Sequence, residues 1–278
     1  MVFLLKVIIS FVIGGLFISS VTAITEKMGT KIGAAIFGLP SVSFLGLGFI
    51  YFTTNVDTTQ KAASVMPIFL ISALFYAFVY QKTIVRLNNK FKDIQASFIA
   101  FMFWAVLGLT TIKLFVPLLN FKIAALGSLI GLVVFYLLFH NYPHIRLHKS
   151  RSSKNINIIR FLVAGVVVSL TVILAKILGP EWGALLATFP ATISMSLYFL
   201  ERSQSDEFIK SFIKELPLSL LSTLIFIIVI YLTILKINVF LSFLVSMLAS
   251  FVYTYTYSHL KIRKIEKLSN ELYRNLIK

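Results

Sequence analysis

Residues 29–41 read Gly-Thr-Lys-Ile-Gly-Ala-Ala-Ile-Phe-Gly-Leu-Pro-Ser, and residues 179–191 read Gly-Pro-Glu-Trp-Gly-Ala-Leu-Leu-Ala-Thr-Phe-Pro-Ala. Gly29, Gly33, Ala34 and Pro40 of the first stretch fall on Gly179, Gly183, Ala184 and Pro190 of the second without a gap. The same shift of about 150 positions carries Phe11 onto Phe161, Gly15 onto Gly165, Leu47 onto Leu197, Pro67 onto Pro217, Leu70 onto Leu220 and Ser72 onto Ser222, so the chain is read as an internal duplication.

Both copies are strongly apolar. The 278 residues are 58% hydrophobic and 13% charged, with a mean hydropathy of +0.93. A soluble domain carries about 25% charged residues, so the solvent for this chain is largely lipid. Apolar runs near the length a helix needs to cross the hydrocarbon recur along it. They predict about nine spans, at 3–24, 32–53, 63–84, 96–118, 123–140, 157–178, 183–200, 216–235 and 238–258. The first run is read as a span rather than a signal peptide, because its counterpart from residue 156 onward sits in mid-chain. The wetter links are placed at 81–95, 141–154 and 201–215. With no cysteine there is no disulfide framework and no thiolate metal site.

The net charge of +16 is read by position before it is read as a sign of an anionic partner. With spans alternating, Lys27, Lys31, Lys82, Arg86, Lys90, Lys92, Arg146, Lys149, Arg151, Lys154, Arg160, Arg202, Lys210, Lys214 and the basic tail collect on one side. The other side receives Lys6, Lys61, Lys122, Lys176 and Lys236. Basic loops stay cytoplasmic, which predicts a multi-pass protein of the cell membrane, N-terminus outside and C-terminus inside. The partners expected are membrane lipids and a small-molecule or lipid substrate, with no nucleic acid.

Five crossings separate equivalent points of the two copies, so the second enters from the opposite face. The fold class expected is all-α: a polytopic helical membrane protein of about nine transmembrane helices arranged as an inverted 4+1+4 repeat. The units are residues 1–119, a linker helix and basic loop at 120–155, a second unit at 156–258 and a basic amphipathic tail at 259–278. That tail is read as a helix on the inner leaflet or a short cytoplasmic helix.

The candidate site lies in the repeated stretch. Small residues four apart let helix backbones approach closely. Pro40 and Pro190 then fall inside a span, where proline removes a backbone donor and frees a carbonyl that needs another partner. Gly33, Pro40, Ser41, Ser43, Gly183, Thr188, Pro190, Thr192 and Ser194 are the expected substrate-contacting residues, from two interrupted helices meeting at mid-depth. Pro67 and Pro217 are expected near the starts of their helices, where proline is tolerated. Asp57 and Glu207 are read as helix-start carboxylates. His140, His144 and His148 share one stretch without a nearby carboxylate, so no metal site, cofactor or catalytic group is expected and the chain is not read as an enzyme.

From Gly183 through Phe189, Pro190, Ala191 and Thr192 to Pro217, the second copy resembles the GlpM-like family of small bacterial membrane proteins. The resemblance covers roughly 80 residues of each half, more clearly 157–235 than 7–85, where Phe-Pro becomes Leu39-Pro40. It implies a four-helix inner-membrane unit associated with alginate production in some bacteria. It implies no particular biochemical activity. The function expected is a transporter or flippase of a small solute or lipid-linked intermediate, working by alternating access between two inverted repeats. The competing expectation is a membrane scaffold that binds a partner or anionic lipid, which predicts a dry, fully packed interface between the second and seventh helices.

Overall fold

The computed structural model describes residues 2–27, 39–89, 91–143, 154–203 and 206–277, and every regular element among them is helical. In chain order these are α1 (Val2–Lys27), α2 (Ser41–Thr53), α3 (Val56–Ile84), α4 (Lys92–Thr110), α5 (Phe121–Leu138), α6 (Lys154–Ile177), α7 (Pro180–Ala187), α8 (Ala191–Ser203), α9 (Asp206–Thr233) and α10 (Val239–Ile277). α4 continues through a π turn, Thr111–Phe115, and a 3-10 turn, Val116–Leu118.

Among the described residues, seven helices are long and apolar enough to cross a membrane, against about nine spans expected from sequence, of which the second and seventh were expected to be interrupted. The remaining two expected spans are the second and the seventh; the seventh is interrupted at Pro190, and the described part of the second begins at Leu39. α2 opens directly after Pro40, while α7 and α8 are separate helices on either side of Thr188, Phe189 and Pro190. Gly29, Lys31 and Gly33 lie outside the described residues.

Two further expectations are corrected. Pro67 and Pro217 lie inside α3 and α9, not near their starts, because both helices begin well before the hydrocarbon does. Asn55 caps α3 by accepting from the Thr58 amide at 2.8 Å, and Asp57 sits in the first turn where the helix dipole favours it. Hydropathy marks where lipid begins; the cap marks where the helix begins. For the same reason most of the expected wet link at 201–215 is helical, belonging to α8 and α9.

α3 is the centre of the bundle: Met66, Phe69, Leu70, Leu74, Tyr76 and Tyr80 are fully buried along it. Gln60 near its start donates to the Tyr231 carbonyl near the end of α9 at 3.4 Å, so the two helices run antiparallel. α5 lies across both, with Gly131 against Ile71 of α3 and the Phe121 ring stacked 3.7 Å from that of Tyr231 on α9. α1 and α6 form a second antiparallel pair. The Lys176 ammonium at the end of α6 sits over the Phe3 ring at the start of α1.

The crossing of that second pair is reciprocal. A Cβ on Gly15 would stand 2.7 Å from the Phe161 carbonyl oxygen and ring, and a Cβ on Gly165 would stand 2.7 Å from the Phe11 carbonyl oxygen and 2.9 Å from its ring. The rings of Phe11 and Phe161 meet edge to face at 5.6 Å. Each phenylalanine thus covers the glycine that is the sequence counterpart of its partner's glycine.

The outer faces of α1, α4, α5 and α10 are apolar and exposed, as Val106, Leu126, Leu137, Phe240 and Val252 illustrate. This is how a bundle meets hydrocarbon instead of water. α10 runs 39 residues without a break, so the expected tail is a continuation of the last span. At 1.5 Å per residue that helix is roughly 58 Å long, nearly twice the hydrocarbon thickness.

Candidate functional site at the two helix breaks

Proline sets both breaks, and the backbone handles them alike. Pro40 adopts φ −77° and ψ 53°, an inverse γ-turn, so the Ser41 amide donates to the Leu39 carbonyl at 2.8 Å and Phe44 then donates to the Pro40 carbonyl at 2.8 Å. In the second copy Ala191 donates to Phe189 at 2.7 Å and Ser194 to Pro190 at 2.7 Å. Upstream, α7 is closed by the Thr188 hydroxyl, which donates to the Ala184 and Leu185 carbonyls at 3.1 and 2.9 Å.

The turn leaves a carbonyl to satisfy. In an unbroken helix the Ala191 amide would bond to Ala187, but it has turned to Phe189. The Ser43 hydroxyl on α2 supplies the missing partner, donating to the Ala187 carbonyl at 3.0 Å in a buried setting. Beside this bond Gly46 packs so closely that a Cβ there would lie 2.7 Å from that of Ala187. The two breaks are therefore in direct contact, and the bond between them repairs a defect that proline made.

A cavity of about 80 Å³ opens at this junction. Its wall takes equivalent residues from the two copies: Leu39 and Phe189, Pro40 and Pro190, Val42 and Thr192, Ser43 and Ile193, Leu70 and Leu220, Ala73 and Thr223. Side-chain hydroxyls come from Ser41, Ser43, Thr188, Thr192, Ser219 and Thr223, and among the described residues lining it none is charged. The volume has room for several waters, and its surface is mainly apolar with a few hydroxyls set into it.

Phe189 is fixed from behind. The Trp104 ring of α4 meets it edge to face at 4.8 Å and Phe101 lies 6.0 Å away. The buried Trp104 indole N–H has no hydrogen-bond partner among the described residues. Tyr76 of α3 is buried in the neighbouring wall, with Ser194 of α8 and Ser97 of α4 close to its hydroxyl.

Of the residues expected from sequence, Pro40, Ser41, Ser43, Thr188, Pro190 and Thr192 line the cavity. Gly183 instead packs against Ala175 and Ile50, and Ser194 turns back on its own helix, donating to the Pro190 carbonyl at 2.7 Å. Ser219, Thr223, Leu70, Ala73 and Phe189 line it as well and were not anticipated. Ser219 and Thr223 are small polar residues four apart on α9, just after Pro217, and that spacing was the available signal.

A smaller cavity of about 20 Å³ adjoins the first, sharing Thr192 with it and adding Ile18, Arg160, Val163, Ala164, Ala191, Met195 and Ser196. At one end of the bundle, Lys214 donates to the Tyr142 carbonyl at 2.7 Å and the Tyr142 hydroxyl to the Gln81 side chain at 3.0 Å. Burial pushes the Tyr142 phenol above its ordinary value, so it stays a donor. The opposite end carries Lys6, which donates to the Phe52 carbonyl at 2.5 Å, and Lys176. No group of three or more metal-ligating side chains occurs among the described residues; His140 lies 6.2 Å from the Tyr136 ring, and His144 and His148 fall outside them.

Residues 157–261 match the model of a family described as a protein of unknown function (DUF3147). The match spans α6 to the membrane-crossing part of α10. The GlpM-like resemblance has no support beyond the residues that suggested it. No curated protein and no solved structure matches the chain.

Proposed function

We propose that this chain is a transporter, or a flippase, of a small solute or lipid-linked intermediate, built from two inverted four-helix units that rock about the breaks at Pro40 and Pro190. The observation that carries the reading is the hydroxyl-lined cavity between the breaks, walled by the same positions of both copies. Interrupted helices at corresponding positions of two halves are where transporters bind their cargo.

The inverted arrangement rests on reciprocity. Gly15 under Phe161 and Gly165 under Phe11 is the pattern of a local two-fold axis lying across an antiparallel pair, and α3 with α9 repeats the sense. The family match supports the same division, since it covers α6–α10 and leaves α1–α5 outside. In this reading α5 is the extra crossing that lets the second unit invert.

A cavity of about 80 Å³ is too small for most solutes, so transport requires the halves to separate. The scaffold reading called for a dry, fully packed junction, and the presence of a cavity there speaks against full packing. Membership of the cell membrane, with Lys6 and Lys176 outside and Lys82, Arg160 and Lys214 inside, follows from the end-to-end asymmetry of basic residues.

The chain has no cysteine, so Ser41→Cys is a clean reporter. In oriented proteoliposomes the expected result is labelling by an impermeant maleimide added to either side in separate experiments. Protection from both sides would contradict a pathway.

A further inference from the structure

A lysine on a spanning helix ordinarily stretches its ammonium out to water, which makes Lys214 the residue to explain. It lies inside the span 209–233 on α9, is half-buried, and donates at 2.7 Å to the carbonyl of Tyr142 in the turn after α5. An ammonium has three donors, and this bond uses one. The acid next to it in sequence, Glu215, faces α10 instead, where the Tyr257 hydroxyl donates to it at 2.7 Å. Among the described residues no carboxylate pairs with Lys214, so its charge is met only by a neutral oxygen.

A second ammonium stands at the same corner of the bundle. The Tyr142 ring stacks on Phe139 with centres 5.3 Å apart, Phe139 stacks on Phe78 of α3 at 6.3 Å, and the Lys82 ammonium lies 5.6 Å from the centre of the Phe78 ring. The Tyr142 hydroxyl, donating to Gln81 at 3.0 Å, fastens the turn to the end of α3. One aromatic column thus carries a lysine at each end. Beneath it the last turns of α5 leave Val134, Leu137 and Leu138 exposed to hydrocarbon. Two cations at the polar boundary above an apolar helix face match the layout of a phospholipid, headgroup over chains. A charge that served only to set orientation would need no carbonyl or ring to hold it in place, and these two are held. The other copy does not repeat them: the equivalents of Lys82 and Lys214 are Leu232 and Ser64.

We propose that this corner binds the headgroup of an anionic phospholipid, with the Lys82 and Lys214 ammoniums on the phosphate and the acyl chains along the outer face of α5. The inference rests on the bundle lying in a membrane. It does not depend on the central cavity carrying cargo, and it gives α5, which belongs to neither copy, a partner of its own.

Thermal unfolding of the full chain in a neutral detergent, titrated with dioleoylphosphatidylglycerol, reads binding as a rise in the midpoint. The expected result is a saturable rise that dioleoylphosphatidylcholine does not reproduce. Lys82→Gln and Lys214→Gln should each raise the lipid concentration at half of that rise about fivefold, which is ~1 kcal/mol per lysine. Lys82→Arg and Lys214→Arg should keep the affinity, and Lys122→Gln, exposed at the opposite end of α5, should leave it unchanged.

An equal rise with phosphatidylcholine overturns the headgroup site. So does a phosphatidylglycerol effect that both glutamine variants leave intact, or one that Lys122→Gln weakens as much as they do. The same rise with inorganic phosphate alone overturns the lipid as its source. Should Lys214→Gln fail to fold, Lys82→Gln carries the test by itself, since that side chain is exposed and removes no hydrogen bond from the bundle.

Discussion

Gly15 and Gly165 show how much of this bundle depends on atoms that are absent. Each glycine lets a phenylalanine ring and a backbone carbonyl come within the space a Cβ would fill. In lipid no hydrophobic force drives helices together, so close backbone packing supplies the association. Gly15→Leu and Gly165→Leu are expected to cost about 1–3 kcal/mol or more each, through forced separation of α1 and α6. The two losses should be similar, because the contacts are counterparts. Gly48→Ala is the control: its added Cβ would meet only the Phe243 ring, at 3.9 Å. Thermal unfolding in detergent measures all three, with Gly48→Ala at or above the parent.

At the scale of elements, the breaks between helices are joined by a bond that each needs for a different reason. α7 ends with a freed carbonyl at Ala187, and α2 begins with Ser43 facing it. Ser43→Ala is expected to lower stability by about 0.6–1.7 kcal/mol, the range of interhelical hydrogen bonds in membranes. Thr233→Ala is expected to cost much less, because that hydroxyl only donates back to Val229 of its own helix. Equal losses in the same unfolding assay would mean that the Ser43 bond does not join the two elements.

The elements also explain what was readable in advance. Pro40 and Pro190 announced the interruptions, because proline cannot continue the hydrogen-bond ladder whatever surrounds it. The hydroxyl pair Ser219 and Thr223 stayed hidden. In lipid the outward face of a helix is as apolar as the packed face, so periodicity does not tell which side of α9 faces the cavity. Arg160 was counted with the loop cations for a related reason: it lies near the start of its span, and only the packing of α1 and α8 around it turns a flanking charge into a wall of a cavity. The early starts of α3 and α9 were lost because hydropathy reports lipid and not helix.

In the proposed arrangement the whole molecule is one unit used twice, with its exceptions carrying the asymmetry. α5 belongs to no pair and lies across α3 and α9; α10 runs on beyond the bilayer; Arg160 replaces Ser10. On the transport reading proposed above, these departures let the two ends face different compartments, because identical halves would give identical mouths. The apolar exteriors of α1, α4 and α10 then complete the picture of a bundle whose polar content is folded inward.

The central claim is that the two halves lie upside down with respect to each other. Asp57 and Glu207 are counterparts in the first turns of α3 and α9, so each marks the face at which its unit begins that helix. Single cysteines placed at these two positions in intact cells, probed with an impermeant maleimide before and after permeabilisation, read the answer directly. The account predicts that Asp57→Cys labels from outside and Glu207→Cys only once the membrane is opened. Labelling of both from one face would contradict it.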